Sequence, residues 1–257
     1  MAKIKSKEEI ESLRKGGKIL AKILRELAEA SQPGVSTEDI NDLALSLAEK
    51  YGAEPVLLGY HPEFADRPYP AALCTSVNNT VQHGVPRADE ILQEGDIINL
   101  DMSIGYEGMI VDSGITVPVG KTDPVSEKLM KVTKEALAIG IKQAKPGNHI
   151  GDIGHAIATY VRAQGFSIVE VLCGHGVGHA VHEEPQVPNF GKAGTGPEIK
   201  VGNVFAIEPI VNVGKKDVWF DDDGDGYSVF TNDGSRAAHF EHTVAITEKG
   251  PEIITKE

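Results

Sequence analysis

The sequence predicts an α+β fold in which two related halves share one central site. Three observations lead there. Amphipathic helical stretches and strand-like runs are interspersed along 257 residues. Two of the strand-like runs face each other across a short turn, which is a hairpin pattern. A set of residues also recurs at a fixed offset, in the same helix–turn–helix context each time.

The first helix is announced by Ser6 and Glu9, an S-x-x-E capping box. Ile10, Leu13, Leu20, Ile23, Leu24 and Leu27 follow at helical spacing, and Pro33-Gly34 closes the stretch. A second helix starts near Thr37, carries Ile40, Leu43, Ala44 and Leu47 on one face, and stops near Gly52. A third begins at Asp123-Pro124, with Asp as N-cap and Pro as first helical residue, and runs to Lys145-Pro146-Gly147. A fourth spans about Asp152 to Gln164 and ends at Gly165. Pro33-Gly34, Asp39-Ile40 and Gly52 thus recur as Pro146-Gly147, Asp152-Ile153 and Gly165, an offset of 113 in every case. Pro-Gly turns between helices are common. Five identities at one offset favour duplication, with halves of roughly 1–120 and 121–257 forming a single domain. A pseudo-twofold between them would place a site at their seam.

The strand-like runs are Asp96–Ile104, Met109–Val119, Val204–Val213 and His239–Thr247. If Tyr106-Glu107 is a two-residue loop, Asp101 lies opposite Asp112 in the first hairpin. Directly opposed Cβ atoms are about 5 Å apart, and like charges there are destabilising. Both strands are otherwise apolar, so the two carboxylates are costly unless something compensates. One Asp capping a turn, a protonated carboxyl, or a longer loop with another register would also remove the conflict. The downstream residues favour a metal cation. His175 lies in a glycine-rich run, and Glu208 and Glu241 each sit inside an apolar run, where a Glu is rarely free. Four carboxylates and one imidazole suit two divalent metals, which can clamp a hydrolytic water.

Composition narrows the function further. The formal net charge is -13 and no dense Lys/Arg cluster is visible, so direct nucleic-acid binding is a poor fit. Two cysteines, Cys74 and Cys173, are too few for a disulfide framework and fit a reducing compartment. The N-terminus lacks an apolar signal region, and no run approaches a membrane span. The expectation is a cytoplasmic protein without a membrane.

In order and context, Asp101, Asp112, His175, Glu208 and Glu241 resemble the methionine aminopeptidases. The match is carried by His83 in Asn78–Pro86, by Asn99-Leu-Asp-Met and Val111-Asp-Ser-Gly, by Gly174-His-Gly-Val-Gly and His182-Glu-Glu-Pro, and by Ile207-Glu-Pro and Phe240-Glu-His-Thr. It spans nearly the whole chain. The resemblance implies the pita-bread fold of peptidase family M24, with two αβ halves around a dinuclear metal site. It also implies the short, bacterial-like type I form. That form is expected to lack the long N-terminal domain of the prolidase kind and the large helical insertion after the His175 region.

Carried over by position, Asp101, Asp112, His175, Glu208 and Glu241 would be metal ligands. Asp112 and Glu241 would bridge two ions, and Glu208 would also move the proton of the attacking water. His182 would stabilise the oxyanion, and His83 would contact the substrate backbone or amine. The donor set favours Mn, Fe or Co, with Zn also possible. The activity implied is removal of the N-terminal methionine from nascent polypeptides, with a small second residue preferred. The expected enzyme is a monomer that can work at the ribosome. Tyr60 and Cys74, with Trp219 or Tyr227, are candidates for the methionine pocket. Leu172 stands where the family often has an aromatic, and the longer stretch 61–73 could reshape the rim.

Other signals carry less. His175, His179 and His182 have zinc-triad spacing, but the intervening glycines oppose a helix. Asp221–Gly226 matches the start of an EF-hand loop, yet position twelve is Asn232, so a solvated hairpin turn reads better. Cys173 reads as packing. Two alternatives remain at this level: a related enzyme cleaving Xaa-Pro peptides, and an inactive pita-bread protein that binds partners, against which all five ligand-type residues argue.

Overall fold

The computed structural model describes residues 3–62 and 65–257. Glu63 and Phe64, within the 61–73 stretch, lie outside the described residues. In chain order the helices are α1 (Lys7–Ala30), α2 (Thr37–Tyr51), α3 (Pro124–Gln143) and α4 (Ile150–Ala163). The first half carries β1 (Glu54–Pro55), β2 (Cys74–Val77), β3 (Thr80–Gln82), β4 (Ile97–Tyr106) and β5 (Met109–Pro118). The second carries β6 (Ser167–Ile168), β7 (Cys173–Gly176), β8 (Glu183–Pro188), β9 (Val204–Ile207), β10 (Ile210–Asn212), β11 (Val218–Phe220), β12 (Val229–Thr231), β13 (Ala237–His239), β14 (His242–Thr247) and β15 (Gly250–Ile253). Among the described residues no helix is long and apolar enough to cross a membrane.

The helix starts follow their caps. The Ser6 hydroxyl accepts from the Glu9 amide, and the Glu9 carboxylate accepts from the Ser6 amide. Asp123 caps α3 by accepting from the Val125 and Ser126 amides, with Pro124 in the first turn. Helix α1 ends at Ala30, ahead of the Pro33-Gly34 turn that was expected to close it. Gly17 in mid-helix is required by close approach: a Cβ there would lie 2.3 Å from the Ile254 carbonyl oxygen.

The offset of 113 is a structural repeat. Asp39 and Asp152 occupy the same helical position, each accepting from the backbone amide of the residue that starts its helix, Ser36 and His149. Gly34 and Gly147 both adopt positive φ, at 92° and 86°. The Gly34 amide donates to the Leu92 carbonyl, and the Gly147 amide to that of Ile199. Isolated bridges then join Ser36 to Ile91 and His149 to Glu198. Ile40 and Ile153 are both buried.

The chain builds two cores. One gathers Leu13, Leu20, Leu24, Leu27 and Ile40 against Leu100, Met102 and Ile104. The other gathers Leu129, Leu137, Ile141, Ile153, Ile157 and Val161 against Phe205, Ile207 and Val244. The sheet β15-β14-β9-β7-β8 lies between them. Its alternation serves both sides: Val204, Ala206 and Ala245 face the first core, and Phe205, Ile207, Val244 and Ile246 the second.

The β4–β5 hairpin corrects the expected register. Its loop is Glu107-Gly108, with φ of 48° and 78°, so both turn residues are left-handed as a tight hairpin prefers. Asp101 pairs with Gly114 and Asp112 with Ser103. The two carboxylates are diagonal neighbours rather than directly opposed. A slip of one residue would have put them on opposite faces; this slip of two keeps them together.

The two later strand-like runs also differ from expectation, because each breaks at its glutamate. The Val204–Val213 run splits into β9 and β10 around Glu208-Pro209, and the His239–Thr247 run into β13 and β14 around Phe240-Glu241. Ile207 pairs with His242 and Ile210 with His239, a register that holds Glu208 level with Glu241 across the break. Strands β9 and β14 belong to the five-stranded sheet, and β10 and β13 to the sheet β13-β10-β6. The glutamates sit where a strand pair passes from one sheet to another.

Candidate metal centre

One cavity collects the chemistry. Its wall includes Asp101, Asp112, His175, Glu208 and Glu241, together with His83, His182, Tyr60 and Cys74. The carboxylates reach it from the hairpin diagonal and from the double strand break. His175 arrives on β7, paired with Gln186 of β8 and Ala206 of β9.

All five ligand-type residues are buried, between 2% and 9% exposed. Burial comes first in pushing the Asp101, Glu208 and Glu241 carboxyls well above the usual carboxylate range, and mutual carboxylate repulsion adds to it. Asp112 is raised by burial as well. Four acids buried and crowded in this way call for a compensating cation. Oδ1 of Asp112 and Oε1 of Glu241 are buried without any hydrogen-bond partner. Among the described residues, Asp112, His175 and Glu241 bring one donor atom each to within 4.8 Å of the others. The His175 Nδ1 faces the Gly176 carbonyl oxygen at 3.0 Å. That bond places the proton on Nδ1 and leaves the Nε2 lone pair pointing at Asp112 Oδ2 and Glu208 Oε1, 3.8 and 3.5 Å away. Orphaned carboxylate oxygens and a free imidazole lone pair fit a divalent cation.

Both other histidines are neutral near pH 7. His83, half-buried in the cavity wall, is pushed down to about 4 by desolvation, with the neighbouring His182 adding to it. It holds a left-handed φ of 58°, uncommon for a residue with a side chain. His182 opens onto the cavity but is densely surrounded, and desolvation pushes it to about 4 as well. Its Nδ1 lies 2.8 Å from the Tyr60 hydroxyl, and its ring packs edge-on to His175 at 4.4 Å.

The remaining wall is largely apolar: Leu57, Pro62, Tyr69, Leu172, Val181 and Tyr227. Of the two aromatic candidates, Tyr227 lines the cavity. Trp219 does not; it is stacked on Phe230 at 4.7 Å and 46% exposed. The zinc-triad spacing is not assembled either, because the His179 Nε2 is bonded to Glu9 at 2.7 Å. Burial raises the Cys173 thiol to about 11, which leaves it protonated and fits a packing role. Asp221–Gly226 is the turn of the β11–β12 hairpin.

Two polar residues escaped the sequence reading. The Gln82 amide donates to Glu208 Oε2 at 3.0 Å. His239 is fully buried, with Nε2 at 3.7 Å from Glu208 and 4.0 Å from Glu241. The signal for His239 was present, since residues 239 and 241 of one extended run share a face. For Gln82 the neighbouring His83 was the only pointer.

The family model described as metallopeptidase family M24 matches residues 11–248. The methionine aminopeptidase of Aquifex aeolicus is 47% identical over 255 residues, covering 98% of this chain and 97% of that one. The chain belongs to family M24, among the methionine aminopeptidases. Within that family, methionine aminopeptidase 1 of Bacillus subtilis is 40% identical, covering 98% of both chains. The crystal structure of the Thermotoga maritima methionine aminopeptidase superposes with a TM-score of 0.95, at 42% identity and full coverage of both chains. Prolidase from Pyrococcus furiosus gives a TM-score of 0.76 at 22% identity, over 99% of this chain and 65% of that one. That last likeness is one of fold, and the fold is the pita-bread fold the M24 enzymes share. Family membership brings with it a divalent metal as part of the working enzyme.

Proposed function

We propose that the chain releases the N-terminal methionine from nascent polypeptides by metal-dependent hydrolysis, acting as one catalytic unit with halves of roughly 1–120 and 121–257. The observation that carries the proposal is the set of buried, unpartnered carboxylate oxygens facing His175 at the end of a largely apolar cavity.

Two divalent ions, of Mn, Fe or Co with Zn also possible, would be held by Asp101, Asp112, His175, Glu208 and Glu241, with Asp112 and Glu241 contributing to both. When bound they supply charge stabilisation at the scissile carbonyl and a water acidic enough to react. Glu208 holds the proton. Gln82 donates to Oε2 and so orients the Glu208 carboxylate for that task. With the Tyr60 hydroxyl 2.8 Å from Nδ1 taken as the donor, His182 would offer its Nε2 proton to the developing oxyanion. His83, neutral, takes a hydrogen bond from the substrate amine or backbone. The methionine side chain lies against Tyr60, Cys74, Leu57, Tyr69 and Tyr227. A small second residue is preferred. The setting is a cytoplasmic monomer working on chains emerging from the ribosome.

The decisive assay is methionine release from Met-Gly-Met-Met, with and without added Mn²⁺ or Co²⁺, beside Asp101→Ala. Metal-dependent release, absent from the variant, is expected. Cleavage of Xaa-Pro peptides without methionine release would discard the substrate and keep the metal centre.

A further inference from the structure

His182 immediately precedes β8, whose first residue Glu183 pairs with Gly176 of β7, and the loop before it has a further tie to the N-terminal strap. Glu183, the next residue, turns its carboxylate away into the protein. Oε1 accepts from the backbone amides of His179 at 2.6 Å and Ala180 at 3.2 Å, which closes residues 179–183 into a ring. Oε2 accepts from the Lys5 ammonium at 2.6 Å. That ion pair is almost fully buried, with side-chain exposures of 1% for Lys5 and 4% for Glu183. The Lys5 backbone amide donates to the Gly202 carbonyl, which fixes the strap from which the side chain extends. The loop is shaped around that side chain: a Cβ on Gly178 would lie 2.5 Å from Lys5 Cε. Glu9 adds a second tie. One of its carboxylate oxygens accepts from the Ser6 amide and the other meets His179 Nε2 at 2.7 Å. On the far side the Ile110 amide donates to the Gly178 carbonyl at 2.7 Å, two residues before Asp112 on β5.

We propose that Lys5 is a positioning residue for His182: through Glu183, the N-terminal strap holds the 179–183 loop at the height His182 needs to meet the oxyanion. The inference rests on the oxyanion role given to His182 above. A buried ion pair is weak evidence for stability, because an apolar pair of similar volume often serves equally well. Here each partner does something an apolar side chain cannot. The carboxylate gathers two loop amides, and the ammonium fixes the direction of the carboxylate. Lys5 touches neither substrate nor metal ligands, so its loss acts on geometry alone. Misplacement of a catalytic group by about 1 Å can cost up to about a hundredfold in rate.

The test compares wild type, Lys5→Met, Lys5→Arg and the double variant Lys5→Met/Glu183→Met, on Met-Gly-Met-Met with Mn²⁺. Mn²⁺ affinity by calorimetry and Tm are read on the same samples. In Lys5→Met, kcat is expected to fall by roughly ten- to a hundredfold, with KM and Mn²⁺ affinity each within about threefold. Lys5→Arg recovers part of the loss. The double variant has no unpaired buried charge, so its Tm recovers while kcat stays low. Recovery of both Tm and kcat in the double variant overturns the inference, since the pair would then be structural only. An unchanged kcat in a folded Lys5→Met overturns it too. A wild type that binds Mn²⁺ but releases no methionine strikes at the proposed function instead, a result that no Lys5 variant can mimic.

Discussion

The two halves use the same device to start their inner helices and different devices to present their carboxylates. Asp39 and Asp152 cap equivalent helices in equivalent ways. The first half then offers Asp101 and Asp112 from an unbroken hairpin, on a diagonal of one face. The second offers Glu208 and Glu241 from two strands that both break, level with each other. The difference follows from what surrounds each pair. Strand β4 is central in its sheet, with β5 along one edge and β1 and β2 on the other, so the hairpin stays intact. The glutamates occupy a passage between sheets, where the backbone leaves one ladder before joining the next. Two halves that share a helix start thus converge unlike carboxylate pairs on one point, and the extra reach of Glu over Asp suits the less regular backbone.

The largest expected effect tests whether both pairs serve one centre. Asp112→Asn from the hairpin and Glu241→Gln from the break should each lower kcat/KM by about a thousandfold or more, and the double variant by little beyond either one. Fully multiplicative losses would mean two separately acting sites. A thermal measurement makes the same point without catalysis. Mn²⁺ at a hundred times its Kd should stabilise the wild type by about 2.7 kcal/mol, and most of that gain should vanish in either variant. The metal-free Asp112→Asn protein should be no less stable than metal-free wild type, because the substitution removes one of four crowded buried acids. A clear drop in its Tm would mean that the carboxylate is held by bonds other than those to a cation.

The cores come next. Leu24→Ala in the first and Ile157→Ala in the second should each cost about 2–5 kcal/mol on denaturant unfolding, both sites being at most 2% exposed. If the cores are separate, the two losses add to within about 0.5 kcal/mol. Adjacent changes on β9, Val204→Ala with Phe205→Ala, should depart from additivity, since that strand faces both cores. Additivity on β9 as well would mean that the shared sheet transmits nothing between the halves.

Much of this was legible in the residues. The caps at Ser6 and Asp123 are short-range chemistry, and both helices begin where their caps say. The grouping of Asp101 and Asp112 survived a wrong register because strand parity, not loop placement, decides the face. What escaped was set by tertiary packing. Nothing local says that an apolar run such as Val204–Val213 breaks at Glu208; the break belongs to the exchange between sheets. Trp219 was misplaced for a similar reason, as an aromatic on a short hairpin can face either the cavity or its neighbour Phe230. The partnership of Lys5 with Glu183 spans 178 residues of chain and has no local signature at all.

The smallest effect probes the repeat itself. Asp39→Ala and Asp152→Ala should each cost about 1 kcal/mol, the usual worth of a capping interaction. The residues that start the two helices are not equivalent. The Ser36 hydroxyl accepts from the Asp39 amide at 3.0 Å, whereas no side-chain cap bond is made by His149. Ser36→Ala should therefore cost about 1 kcal/mol as well. His149→Ala should sit within about 0.5 kcal/mol of wild type, in the range of ordinary surface changes. Equal losses at Ser36 and His149 would show that the second helix draws on its first residue in a way the hydrogen bonds do not reveal. The predicted inequality would mean that the duplicated turn has kept its aspartate in both copies and its hydroxyl in only one. The second half would then rely on backbone pairing, from Gly147 to Ile199 and back to Asn148, to fix the helix start that the first half secures twice.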